Sequence, residues 1–368
     1  MKIGHITYNY KPIIGGQEAY VDSLIGVLNG RGHRQRVYQK EGGELSELIV
    51  EVPGSNWRLP QLISFNLGLL TKRSLLKDED VLVINYPEAF PSVSWHKNTV
   101  VISHGSTWTR GARSDVARKM LARLAFKRAT QFVANDTFVL RELGLGVAPR
   151  TRMFEEVSSG KWFIPNCIDT KLFSPGRSRP GLKEKNPIIV PRNLTYSRGV
   201  DLAVAAYAQF EKKHPDTTLC VVGDAIPGVR ESQEFKARVL RHIQELDLQS
   251  KVVLLGHRSR DQMPGIYSSA LFTLVPTRSS EGTSLAALES MACGTPVVST
   301  DVEGLLDLPT LKCSASSESM AEAMEAVLKK REEIALEQRS EVIRGYNLNN
   351  WQKAWLKVIE KSLLGIRY

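Results

Sequence analysis

Short β-rich runs alternate with helix-patterned segments along the whole chain, and this alternation limits the fold more than any other feature. Strands separated by helices pair in parallel through helical crossovers, so the chain reads as parallel sheets assembled from βαβ units. In the first half the strand signals are Ile3–Thr7, Arg36–Tyr38, Val81–Ile84, Val100–Ser103 and Phe132–Ala134, with helical periodicity at Glu18–Asn29 and Ser114–Arg128. In the second half they are Ile188–Val190, Leu219–Val222, Val252–Leu254, Phe272–Val275 and Val297–Ser299. At 368 residues the chain is long enough for two α/β domains, each with its own core.

A stretch rich in proline, glycine and charge, FSPGRSRPGLKEKNP from Phe173 to Pro187, separates the halves and has the composition of a linker. The expected division is residues 1–173, a linker at 174–187, a second domain at 188–345 and a C-terminal helix at 346–368. That helix pattern, Asn349–Leu364, places Trp351, Trp355, Val358, Ile359 and Leu363 on one face. The fold class is therefore α/β, with two Rossmann-like domains expected to face each other across a cleft.

A hydrophobic content of 42% with 24% charged residues is that of a soluble globular protein. The opening MKIGHITYNY reads as a first strand and not as a cleavable leader. No run approaches the ~18–20 apolar residues that span a bilayer. The most apolar candidate, LPQLISFNLGLL (Leu59 to Leu70), is interrupted by Pro60, Asn66 and Gly68. Cys167, Cys220, Cys293 and Cys313 stand far apart, without metal-ligand spacing, and are expected to be reduced thiols of a cytoplasmic protein. The net charge of +10, from 49 Lys+Arg against 39 Asp+Glu, favours an anionic partner without choosing among phosphate, an acidic membrane and nucleic acid.

Ligands of such sheets bind beyond the carboxyl ends of the strands. Pro276–Glu281 leaves one of those ends, Ser284 is a good N-cap for a helix Leu285–Ala292, Gly294 fits the C′ position and Pro296 blocks continuation. Leu285, Leu288 and Met291 should pack inward. The N–H groups of Thr283, Ser284 and Leu285 would form an anion site, while Glu281 before the helix and Glu289 on its second turn would accept hydroxyl hydrogen bonds. Spacing alone fits a solvated helix face equally well.

Arg192 and Arg198 leave the end of Ile188–Val190, and Gly199 opens a helix Val200–Phe210. Two converging guanidinium groups suit a departing diphosphate; taken alone they also read as surface arginines. His104, in ISHGST at another strand end, suits a sugar hydroxyl or a structural role. Gly15 and Gly16 follow the first strand and suit close backbone approach to a phosphate or sugar, or a plain turn. The chain has neither GxGxxG nor GxxxxGK[ST].

These pieces, in this order, resemble the retaining glycosyltransferases of family 4, with the GT-B architecture, over nearly the whole chain. GGQEAYVDSLIGVLNGRGH resembles the family's glycine loop and first helix, and FIPNCIDTKLFSP its PNGVD…F.P segment. VPRNLTYSRGVDLAVAAYAQF resembles its G-R-L…K-G-x-D stretch, and EGTSLAALESMACGTPVVSTDVEG its E-x₇-E block. The resemblance implies that Glu281 contacts the donor sugar, that Glu289 binds the nucleotide ribose and that Arg192 and Arg198 stabilise the leaving diphosphate. It places His104 near the sugar, Gly16 on the donor through its backbone, and Gly256–Arg260, with Arg258, beside the base. It also implies a C-terminal helix that crosses back to the first domain.

Several positions depart from the family pattern. Arg198 stands for lysine, Thr283, Ser284 and Ala286 stand for the frequent Phe, Gly and Pro, and Cys167 and Glu303 stand for glycines.

The expected activity is hexosyl transfer, with retention and without metal or cofactor, from a UDP- or GDP-linked sugar to an acceptor hydroxyl in cell-surface glycan or glycolipid synthesis. A GT-B-like nucleotide-sugar epimerase is the alternative, and a basic nucleic-acid-binding protein is the alternative from another class, though no nucleic-acid motif is present. Acceptor contacts are expected from Gly42–Arg58 and Glu88–Lys97. In Thr109–Thr130 an apolar face of Val116, Met120, Leu121 and Leu124 is expected to pack on the sheet. The flanking Arg113, Arg118, Lys119, Arg123 and Lys127 would then meet an anionic membrane surface, placing the protein at the inner membrane face.

Overall fold

The computed structural model describes residues 1–13, 15–54, 60–109, 114–176, 182 and 185–364. The chain forms two compact units, Met1–Asn166 with Asn349–Tyr368, and Cys167–Leu348.

In the first unit the described strands are β1 (Lys2–Ile6), β2 (Arg34–Lys40), β3 (Ile49–Val52), β4 (Val81–Ile84), β5 (Thr99–Ser103), β6 (Gln131–Ala134), β7 (Glu155–Ser158) and β8 (Lys161–Phe163). They form one sheet in the order β3-β2-β1-β4-β5-β6-β8-β7, parallel except where β7 runs antiparallel to β8. β4, Val-Leu-Val-Ile, is fully buried, as a central parallel strand covered on both faces must be. Helix Gly16–Asn29 carries the chain from β1 to β2, whereas Gln61–Thr71 and Asp115–Arg128 carry it in the opposite sense along the sheet. Right-handed crossovers therefore put the first helix on one face and the other two on the opposite face.

The helix Leu348–Leu363 belongs to this unit. Trp351, Trp355, Val358 and Ile359 are buried, and Trp355 Nε1 donates to the Tyr20 hydroxyl at 2.9 Å. Leu363, expected on the same face, is 39% exposed because it lies in the last turn.

In the second unit β9 (Pro187–Val190), β10 (Thr218–Val222), β11 (Val252–Gly256), β12 (Phe272–Val275), β13 (Val297–Thr300) and β14 (Leu311–Cys313) pair in the order β11-β10-β9-β12-β13-β14. Each described pairing is parallel. The second unit begins at Cys167, ahead of the expected boundary at 173. Phe173 itself is fully buried, with the Arg260 guanidinium 5.3 Å from its ring centroid, so this segment packs within the second unit. Of the expected linker, residues 177–181 and 183–184 lie outside the described residues.

The helix Asp115–Arg128 is turned relative to expectation. Val116 and Met120 are 72% and 64% exposed, while Ala122 and Ala125 are the buried positions. Small side chains let this helix lie close to the layer beneath it, and Leu121 and Leu124 are left half-buried at the margin. Arg118 pairs with the buried Glu88 at 3.6 Å and Lys119 with Glu142 at 2.5 Å. Arg123 and Lys127 are exposed; Arg113 and part of the loop Gly42–Arg58 lie outside the described residues. No described helix is long and apolar enough to cross a membrane.

Candidate functional site

In the second sheet the chain order reverses between β9 and β12, the switch point where doubly wound sheets bind ligands. Arg192 leaves β9 there and is 8% exposed. Its Nη2 donates to Ser284 Oγ at 2.9 Å and lies 3.4 Å from Glu281 Oε1. Arg198 reaches the other carboxylate oxygen, Glu281 Oε2, through Nη1, and Thr277 Oγ1 donates to that oxygen at 3.3 Å. Gly199 makes this convergence possible. Its φ is +68°, and a Cβ there would lie 1.8 Å from the Pro276 carbonyl oxygen, so only glycine lets the arginine turn press against the loop after β12.

Two guanidinium groups facing one carboxylate leave an excess positive charge. Burial brings Arg192 down to about 10, which still leaves it charged at neutral pH. Arg192 Nε is buried and has no hydrogen-bond partner among the described residues. Ser284 is the N-cap of Leu285–Ala292, as expected, but its side chain makes no capping bond and accepts from Arg192 instead. The first N–H groups of the helix therefore add to the same positive corner. The helix buries Ala287, Leu288, Ser290, Met291 and Ala292, whereas Leu285, expected to point inward, is half-buried.

Glu289, on the second turn of that helix, has a side-chain exposure of 12%. Burial pushes its carboxyl up to about 7, against the opposing pull of Arg260 and the Tyr267 hydroxyl. Tyr267 donates to Glu289 Oε2 at 3.2 Å, and Arg260 Nε lies 3.8 Å from Oε1. Tyr267 is also close enough to Arg192 for the guanidinium to act on its phenol, which links the arginine corner to Glu289. Arg258, the residue picked from this loop by sequence, is half-buried with Nε lacking a partner among the described residues. Thr277 and Tyr267 were not named from the sequence, and Arg260 entered only as the end of the loop Gly256–Arg260. The position of Thr277 just past β12 is a usable signal, as is the place of Arg260 in that loop.

In the first unit the reversal falls between β1 and β4, and the polar residues beyond these strands gather around His104. His104 Nε2 lies 3.1 Å from Asn85 Oδ1, and Asn135 Nδ2 lies 3.3 Å from His104 Nδ1. The amide arrangement makes Nε2 the protonated nitrogen, and burial drives the imidazole down to about 3. His104 is thus a neutral ring held between two amides, with Tyr20 edge-on at 4.8 Å. Donation from this ring to a sugar hydroxyl has to displace Asn85. Helix Gly16–Asn29 starts two residues ahead of the expected Glu18, so Gly16 is its first residue and Gly15 its N-cap; the Gly15 N–H donates to Glu18 Oε2 at 2.9 Å, and Gln17 reaches the Asn85 carbonyl at 3.3 Å. Asn85 and Asn135 follow β4 and β6 directly, a position that flags them even without a motif.

Two family models match the chain, Glycosyltransferase Family 4 over residues 14–154 and Glycosyl transferases group 1 over residues 177–343. A D-inositol 3-phosphate glycosyltransferase of Acidothermus cellulolyticus is 33% identical over 39% of this chain, and the match spans 33% of that relative's length. A GDP-mannose-dependent alpha-(1-6)-phosphatidylinositol monomannoside mannosyltransferase of Mycolicibacterium smegmatis is 22% identical over 80% of this chain and 78% of its own. Sucrose-phosphate synthase (tll1590) from Thermosynechococcus elongatus superposes with a TM-score of 0.81 at 18% identity, covering 98% of this chain and 97% of that one. Anabaena Alr3699/HepE, solved in complex with UDP and glucose, superposes with a TM-score of 0.77 at 17% identity, covering 98% and 99%. With both halves matched and two parallel-sheet Rossmann-like domains present, the chain belongs to the group 1, family 4 glycosyltransferases and has the GT-B fold.

Proposed function

We propose that this glycosyltransferase moves a hexose from a UDP- or GDP-linked donor to an acceptor hydroxyl with retention of anomeric configuration. The observation that carries the donor reading is Arg192, a buried guanidinium whose Nε has no hydrogen-bond partner among the described residues, beside Arg198 and a helix N-terminus without a side-chain cap. A diphosphate seated there takes over the bonds that both arginines make to Glu281, and the freed carboxylate oxygens accept hydroxyls of the donor sugar. Glu289 accepts the ribose hydroxyls, with Tyr267 and Arg260 holding its carboxylate, and Arg258 lies toward the base. As the glycosidic bond breaks, negative charge builds on the diphosphate and the arginines answer it without rearrangement. A diphosphate oxygen takes the proton of the attacking hydroxyl on the same face. His104, neutral in its amide clamp, adds no charge near the sugar, and Gly16 approaches the donor through its backbone. The arginines and helix terminus supply the charge that a divalent ion would otherwise bring, so no metal or other cofactor is assigned.

The acceptor we propose is a lipid-linked glycan or glycolipid at an anionic membrane surface. The phosphatidylinositol mannosyltransferase among the relatives and the exposed Val116, Met120, Arg123 and Lys127 of one helix support that reading. Each basic residue near an anionic leaflet contributes about 1 kcal/mol.

The decisive experiment is a thermal-shift screen of UDP, GDP and their hexose conjugates, followed by the anomeric configuration of the product by NMR and turnover in excess EDTA. Binding of one nucleotide series, a retained anomer and undiminished turnover are expected. An inverted product or loss of turnover in EDTA overturns the mechanism.

A further inference from the structure

The loop after β13 grips the backbone of Glu281 from two sides. Glu303, 8% exposed, accepts the Glu281 N–H on its carboxylate Oε2 at 3.0 Å. The next residue, Gly304, returns a bond, its N–H donating to the Glu281 carbonyl at 3.0 Å. The two loops approach so closely that a Cβ on Gly304 would lie 2.4 Å from the carbonyl carbon of Gly282. Both loops also carry backbone strain at this contact. Glu303 has a φ of +44° and Ser280, adjacent to Glu281, a φ of +58°, in the left-handed region that side chains disfavour.

Glutamate is a poor choice for position 303 on two counts. It bears a conformational cost that glycine would not, and it buries a carboxylate. A strained, buried acid persists where its surroundings depend on it. Here the dependent group is the peptide N–H of Glu281, whose side chain faces Arg192 and Arg198. A loop free to shift by even an ångström would move that carboxylate off both guanidinium groups.

We propose that Glu303 is the positioning residue for Glu281, setting how well the site reads the donor sugar as distinct from its diphosphate. The proposal rests on the reading above that Glu281 contacts the sugar. The test compares Glu303→Gly, Glu303→Gln and Glu281→Gln for binding of UDP against UDP-glucose and GDP against GDP-mannose by calorimetry, with melting temperatures alongside. Glycine relieves the positive φ, so Glu303→Gly should melt no lower than the parent protein. It should also lose roughly tenfold or more of the preference for sugar nucleotide over bare diphosphate, with diphosphate affinity changed by less than about threefold. Glu303→Gln keeps an amide oxygen to accept the N–H and should restore most of the preference. Preference retained in a folded Glu303→Gly protein overturns the proposal, as does a Gln variant as impaired as the Gly one. If Glu281→Gln also leaves the preference intact, or the parent protein binds neither series, it is the donor reading that falls.

Discussion

The polar clusters at the two switch points handle charge in opposite ways. In the second unit Arg192, Arg198, Glu281 and Glu289 are buried or half-buried ionisable groups, and the exposed Arg260 reaches in to Glu289, so each is held by another. In the first unit the corresponding corner holds His104 between two neutral amides, and burial keeps the imidazole uncharged. On the proposed reading, the charged cluster answers the leaving diphosphate while the cluster around His104 offers uncharged hydrogen bonds. The proposed transfer calls for charge where the diphosphate departs. It also predicts that substitutions in the second unit act on charge stabilisation and those in the first on packing and orientation.

The largest effect should come from Arg192→Ala. Its guanidinium is buried, and if, as proposed, it answers charge that grows only as the leaving group departs, kcat should fall by roughly a hundredfold or more, with a smaller change in donor KM. Steady-state kinetics on the donor identified by the thermal screen give the split. A loss confined to KM would make Arg192 a ground-state ligand and weaken the contrast between the two units.

Next is Glu289. If Glu289 accepts the ribose hydroxyls as proposed, Glu289→Ala should cost about 1.5–3 kcal/mol of nucleoside diphosphate affinity. Because burial raises this carboxyl from an ordinary 4.5 to about 7, its ionised form gains population as pH rises through 7, and affinity should rise with it. Stability has the opposite sign. Between 4.5 and 7 the folded protein holds a proton that the unfolded chain has released, so stability falls as pH climbs through that window. Glu289→Gln, titrated beside the parent protein, should flatten both trends. A parent protein whose affinity does not change from pH 6 to 8 relative to that variant would remove the titration from Glu289.

A smaller and different response is expected from Asn85→Ala in the first unit. It leaves the His104 Nε2–H without its buried acceptor, which costs about 1–3 kcal/mol of stability, while nucleoside diphosphate affinity in the folded variant stays unchanged. Chemical denaturation and calorimetry on one preparation separate the two readouts.

How much of this could be read in the residues differs between the units for a physical reason. Val81–Ile84 and Phe272–Val275 are continuous apolar runs between polar ends, so buried parallel strands were legible to the residue. Glu155–Ser158 and Lys161–Phe163, an antiparallel edge pair with polar and half-exposed positions, carry no such run and escaped notice. In the second unit Leu285–Ala292 was bracketed by a cap, a C′ glycine and a proline, and its limits followed. Its neighbour Tyr267 could not be found that way, because a tyrosine before a buried strand looks like any core residue until its hydroxyl is seen on Glu289. Glu303 was visible as a departure from the family pattern, but the hydrogen bond that gives it meaning joins positions 22 apart. Periodicity misread the face of Asp115–Arg128 because hydrophobicity favours valine and methionine, whereas close packing here selects Ala122 and Ala125.

That helix supplies the weakest expected effect on the fold and the clearest probe of the first unit's outer surface. Val116 and Met120 are mostly exposed, so Val116→Ser with Met120→Ser should change stability by no more than about 0.5 kcal/mol. Ala122→Leu, by contrast, forces a larger side chain into a fully buried position and should destabilise by about 1–3 kcal/mol. If the exposed pair belongs to a membrane-facing surface with Arg123 and Lys127, the double serine variant should sediment less with anionic vesicles while its melting temperature holds. Adding ~0.5 M salt should reduce recruitment of the parent protein as well, since screening shortens the reach of Arg123 and Lys127 to about 4 Å or less. Equal sedimentation of parent and variant with anionic and neutral vesicles would leave the exposed pair without a membrane role and confine the charged chemistry to the second unit.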